Sequence, residues 1–188
     1  MKYFKNIWFL LLPLVSSAQA ALVITFTESA GNVSYLASGG LNLAGMTSDS
    51  TTYTTETTSG IHPLAGGFVN QMAVGLTQLA YIGVIGPVSF GSGGEALAST
   101  STGTAVFFSP NENVLFVSST YVSESPLPMS GSYAGKTLAN LGLTPGIYTW
   151  NLGTGPSADT LSIRVVPEPT VPLMGALGAL TALRRRRR

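Results

Sequence analysis

The chain has 188 residues, 22 of them glycine, with one histidine and no cysteine. A disulfide framework and a His/Cys metal site are therefore excluded. The formal charge of +1 is uneven: residues 21–166 hold only Lys136 and Arg164 against Glu28, Asp49, Glu56, Glu95, Glu112, Glu124 and Asp159, a net of −5. That basic-poor balance argues against nucleic acid as a partner, since phosphate binding needs clustered lysine and arginine.

In chain order, Lys2 and Lys5 precede a nine-residue run, Ile7 to Val15 (IWFLLLPLV), and then Ala18-Gln19-Ala20. Positive residues, a short apolar run and a small-x-small site in that order make a secretory signal, cut after Ala20 by signal peptidase. As a helix the run rises about 14 Å, less than the roughly 30 Å of a bilayer core.

Residues 21–166 fall within the size of one domain able to bury its own core. Short β-leaning runs recur over 21–27, 32–37, 79–85, 104–109, 113–118, 146–152 and 160–166. Leu22, Ile24 and Phe26 alternate onto one face, as do Leu161, Ile163 and Val165. Turn clusters such as Ser38-Gly39-Gly40, Gly91-Ser92-Gly93-Gly94 and Thr144-Pro145-Gly146 punctuate them. The pattern predicts an all-β fold, an antiparallel β-sandwich or jelly roll, flanked by an N-terminal signal helix and a short C-terminal sorting helix. Within it, Lys136 to Leu143 reads as a helical turn ending at Gly142. No internal repeat is present.

Several segments invite a chemical reading. Thr47 to Ser59 holds ten Ser or Thr in thirteen positions and reads as a threonine-rich edge strand in preference to an O-glycosylated stretch. His62, ahead of Pro63, reads as a loop histidine, because no Gly-x-Ser-x-Gly elbow accompanies it. The seven carboxylates are scattered singly, so no glycosidase pair and no calcium loop can be named. Gly91 to Gly94 lacks the Lys-Ser/Thr ending of a phosphate loop and reads as a flexible hairpin connection. Tyr121, Tyr148 and Trp150 are candidates for stacking on sugar rings. Tyr148 and Trp150 are expected on opposite faces of a late strand, with Trp150 in the core. No catalytic residue, metal site or cofactor is assigned.

After Val166 come Pro167-Glu168-Pro169, a thirteen-residue stretch from Val171 to Leu183, and Arg184, Arg185, Arg186, Arg187 and Arg188. The prolines stop a strand or helix from running through, so an extended, accessible joint is expected. The stretch spans about 20 Å as a helix. Five arginines beyond it favour a cytoplasmic end, which holds the body on the outer side of the inner membrane.

This order resembles the PEP-CTERM sorting signal of exported bacterial proteins. The resemblance implies exosortase as the processing partner, transient anchoring in the inner membrane, and delivery to the cell surface or the extracellular matrix. One departure from that signal is that the apolar stretch is short and rich in Gly and Ala. A second resemblance covers the body. The segment 21–27 with Ser38-Gly39-Gly40-Leu41-Asn42-Leu43, Tyr121-Val122-Ser123, 138–150 and Ala158-Asp159-Thr160-Leu161 are similar to a recurrent group within the same family, for which no activity is implied. The organisation expected is a signal peptide over 1–20, a β-rich extracellular domain over 21–166 and the sorting signal over 167–188. The function expected is a non-enzymatic surface or matrix protein associated with extracellular polysaccharide; the alternative is a carbohydrate-binding module of that matrix.

Overall fold

The computed structural model describes residues 21–54, 58–71 and 75–168. Two seven-stranded sheets share one core. The strands are β1 (Leu22–Ser29), β2 (Asn32–Ser38), β3 (Thr47–Thr54), β4 (Ser59–His62), β5 (Gly67–Asn70), β6 (Thr77–Ile82), β7 (Val84–Ile85), β8 (Ala96–Leu97), β9 (Thr100–Gly103), β10 (Val106–Ser109), β11 (Val114–Ser118), β12 (Met129–Tyr133), β13 (Gly146–Leu152) and β14 (Asp159–Val166). The first sheet runs β7-β13-β14-β1-β2-β12-β9 and the second β3-β6-β11-β10-β5-β4-β8. Every pairing is antiparallel except that of β1 with β14. The chain is thus all-β, with a sandwich-like pair of sheets. No helix among the described residues is long and apolar enough to cross a membrane. The two expected flanking helices lie outside the described residues.

Period-two alternation builds the first sheet. Leu22, Ile24 and Phe26 of β1 are fully buried, and their parallel partners Leu161, Ile163 and Val165 face the same core. The parallel pairing has a consequence for the termini. Leu22 lies beside the start of β14 and Thr27 beside its end, so β1 begins and β14 finishes at opposite ends of the sheet.

Aromatic side chains join the sheets. Tyr35 of β2 meets Phe68 of β5 edge-on at 5.4 Å, and Trp150 of β13 meets Phe108 of β10 at 5.0 Å. The Trp150 indole donates to the Pro87 carbonyl at 2.6 Å, so this buried ring keeps its N–H satisfied. Tyr35 donates to Asn70 Oδ1 at 2.6 Å, and Asn70 Nδ2 donates to the Thr104 carbonyl at 2.8 Å. This buried polar link ties the two sheets together. Beside it, Gly131 leaves room for the Tyr35 ring: an added Cβ would lie 2.4 Å from Cε1.

Four sequence expectations change. The run 79–85 is two strands in different sheets, because Gly83 takes φ +120° and lets the chain cross between them. The run 104–109 starts later, since residues 104 and 105 make the crossing from β9 to β10. Gly91 to Gly94 is a packed crossing and not a hairpin connection. The N–H groups of Ser92 and Gly93 both donate to the Gly142 carbonyl, and a Cβ on Gly93 would sit 2.0 Å from the Leu141 carbonyl. Tyr148 and Trp150, two residues apart, share the inner face of β13. Trp150 is fully buried, and Tyr148 is part-exposed nearer the start of the strand.

The helical turn at 136–143 is present. Thr137 and Asn140 cap its start reciprocally, at 3.1 and 3.0 Å. Gly142 (φ +62°) ends it, with Gly142 N–H donating to the Ala139 carbonyl and Leu143 N–H to the Leu138 carbonyl. The Glu28 carboxylate accepts from Leu138 N–H at 2.8 Å, at the positive end of the turn.

Candidate functional site

The outer face of the second sheet carries the site. Along β10, Val106 and Phe108 point into the core, so Phe107 points out; along β11, Leu115 and Val117 point in, so Phe116 points out. Hydrogen-bond register places Leu97, Gly60, Val69, Phe107, Phe116 and Ala80 in one row across six strands. Tyr53 of the edge strand β3 pairs with Gln78, two residues from Ala80 along β6, and lies edge-on to Phe116 at 4.8 Å. Phe107 and Phe116 lie 5.4 Å apart, also edge-to-face. Three part-exposed rings therefore form a continuous apolar strip on a face that no other element covers among the described residues.

Tyr53 is held in place by its own strand. A bulge between Ser48 and Thr52 carries Ser50 into the left-handed region (φ +60°), and Asp49 Oδ1 accepts from Thr51 N–H at 2.9 Å. The other carboxylate oxygen accepts the Tyr53 hydroxyl at 2.9 Å. That hydrogen bond from Tyr53 to Asp49 raises the phenol above its ordinary value. Thr47–Thr54 of the threonine-rich segment forms an edge strand, as read from sequence, and its one aromatic belongs to the strip.

Two adjoining hollows of about 360 and 410 Å³ run along the strip and share Thr58, Val69, Glu95 and Phe107. The first is bordered by His62, Ser109, Asn111 and Glu112, the second by Tyr53, Gln71, Gln78 and Phe116. The described lining has two carboxylates and no lysine or arginine. At the floor, Gln78 is 2% exposed; its Oε1 accepts from Gln71 Nε2 at 3.0 Å, while its own Nε2 has no hydrogen-bond partner among the described residues. An unpaired amide donor at that depth is costly, and the atom itself is sealed from solvent.

His62 stands at the exposed end of β4 and not in a loop. It shares the first hollow with Ser109 and Glu112, and no side-chain hydrogen bond joins it to either among the described residues. No group of three or more His, Asp or Glu among those residues is placed to hold a metal ion.

The aromatics singled out from sequence do not form a row. Trp150 is in the core, Tyr148 packs against Phe90 at 6.2 Å, and Tyr121 is a structural peg. The Tyr121 hydroxyl accepts from Leu41 N–H at 2.8 Å and donates towards the carbonyls of Leu41 and Ser125. Around it, Ser123 Oγ accepts from Leu43 N–H, and buried Asp159 accepts from the N–H groups of Asn42 and Thr160 at 2.6 and 2.7 Å. Burial pushes Asp159 up, against the lowering effect of those two hydrogen bonds. Of the residues carrying the second resemblance, Tyr121, Ser123 and Asp159 thus meet as anchors of the 40–44 loop; they hold backbone and line neither of the two hollows.

Of the residues expected from sequence to be processed, Pro167 and Glu168 are exposed just beyond β14, and the Glu168 carboxylate accepts from Ala30 N–H. Ala20, Pro169 and Arg184 to Arg188 lie outside the described residues. The fold and site define an all-β domain with one aromatic-lined outer face. Among known proteins, no family model, no curated protein and no solved structure matches the chain.

Proposed function

We propose that the chain is an exported bacterial surface or matrix protein without catalytic activity, associated with extracellular polysaccharide. Signal peptidase removes residues 1–20, the arginine cluster holds the tail transiently in the inner membrane, and exosortase acts at Pro167-Glu168-Pro169. The reading rests on the order of Pro-Glu-Pro, apolar stretch and five terminal arginines in a chain that opens with a signal. It gains support from the joint itself: β14 ends at Val166, and Pro167 and Glu168 are exposed, as a processing enzyme requires.

Mass measurement of the protein secreted by its native host tests this. A mature C-terminus close to residues 167–169 is the expected result, and one that retains Arg184 to Arg188 overturns it. Glu168→Ala is expected to leave unprocessed precursor in the inner membrane. Polysaccharide, ester or peptide turnover that disappears in His62→Ala would contradict the non-enzymatic part.

A further inference from the structure

We infer that the aromatic strip on the second sheet is a binding platform for a neutral polysaccharide, with pyranose units laid along Tyr53, Phe116 and Phe107. The inference deepens the matrix reading and relies on it only for where the protein meets polysaccharide.

Three observations select the ligand. First, a pyranose ring has apolar C–H faces and a hydroxyl rim, so it suits a surface of aromatic rings bordered by amides and hydroxyls. The strip offers rings at successive centroid spacings of 5.4 and 4.8 Å, with Gln71, Gln78, Thr58 and Asn111 beside them. Second, Gln78 lines the second hollow and its buried amide donor has no partner among the described residues, so a sugar hydroxyl supplies the missing acceptor once the amide turns towards it. Third, Glu95 and Glu112 border the hollows with no lysine or arginine among the described lining residues, so a uronate or sulfated chain meets repulsion.

The same facts disfavour protein occupants. Strands β10 and β11 are interior to the sheet, paired on both sides, so no backbone edge is free there for an added peptide strand. A second copy laid face to face would bring carboxylates together with no lysine or arginine to offset them. Tyr53 is preorganised by Asp49, which lowers the ordering cost of binding.

Isothermal titration of the full chain, purified in mild detergent, tests the platform against soluble β-glucan, soluble α-glucan, mannan and a polyuronate. Saturable binding to at least one neutral polymer and none to the polyuronate is expected. Phe116→Ala is expected to weaken that binding at least tenfold. Tyr53→Ala and Asp49→Ala should weaken it several-fold, the second by releasing the ring. Gln78→Met, which keeps the volume and deletes the donor, should weaken it about threefold while leaving the fold intact. Tyr53 lies on an exposed edge strand, so its variant carries the test if Phe116→Ala does not fold. The inference is overturned if no neutral polymer binds, if the polyuronate binds as well, or if binding is unchanged in both Tyr53→Ala and Gln78→Met. Self-association of the chain that Tyr53→Ala abolishes would overturn it in favour of a contact between copies. Binding by purified protein does not depend on sorting, so failure here leaves the mass measurement of the processed tail to be judged separately.

Discussion

The two outer faces of the sandwich are built from the same strand geometry and differ in what their outward positions carry. On the first sheet, Thr149 pairs with Ser162, Thr100 with Ser132 and Thr102 with Ser130, each at 2.9 Å. Those hydroxyls satisfy one another across strands, and large apolar side chains such as Leu36 and Ile147 stand apart among them. On the second sheet, the outward row is apolar and continuous, and the buried Gln78 amide beside it has an unused donor among the described residues. The Gly-, Ser- and Thr-rich composition thus describes the first face well and conceals the second. A bland average composition is compatible with one specialised face.

Breaking the core common to both faces is expected to have the largest effect and to spare neither. Trp150→Ala removes a fully buried ring and strands the Pro87 carbonyl, a loss of roughly 3–5 kcal/mol, readable as a lower denaturant midpoint. The next largest effect converts the second face into a copy of the first. The double variant Phe107→Thr with Phe116→Thr should cost about 2–3 kcal/mol, because these rings are only half-buried, yet abolish neutral glycan binding.

Tyr35→Phe probes the polar link that holds the faces in one body. It leaves Asn70 Oδ1 without its donor, at a cost of about 1–3 kcal/mol at neutral pH. It also changes the alkaline limb. Burial raises the Tyr35 phenol from its ordinary 10.0 to about 12. Its contribution is complete below about pH 10, where folded and unfolded chains are both protonated. As pH rises towards 12 the unfolded chain ionises first, and that stability is progressively lost. Tyr133, buried beside Tyr35, is raised in the same direction, so the limb should shrink in Tyr35→Phe without vanishing. Chemical denaturation at pH 8 and pH 11 separates the two contributions. The smallest effect is expected on the hydroxyl face, where Thr102→Ala should change stability by less than about 0.5 kcal/mol and leave glycan binding unaltered.

Legibility in sequence followed the strength of local patterning. β1, β2, β13 and β14 alternate cleanly, and their positions were evident from residue order alone. The capped turn before Gly142 was likewise legible, because the glycine that ends it is a local signal. β4, β5, β8, β9 and β12 were not, since they are short, rich in glycine or serine, and defined by neighbours distant in sequence. The aromatic face did leave a trace. Val106-Phe107-Phe108 and Val114-Leu115-Phe116-Val117 are unbroken apolar runs where a half-solvated antiparallel strand would alternate. Such a run means that both faces of the strand are apolar. Tyr53 was hidden inside a threonine-rich segment, and the burial of Gln78 follows from packing that no local pattern encodes.

The contrast between the faces is tested most directly by covalent footprinting of the full chain with and without a soluble neutral glucan. The account predicts protection at Tyr53, Phe107 and Phe116, with Leu36, Thr102 and Arg164 labelled equally in both conditions. Protection confined to the first sheet's outer face, or none on the second, would contradict it.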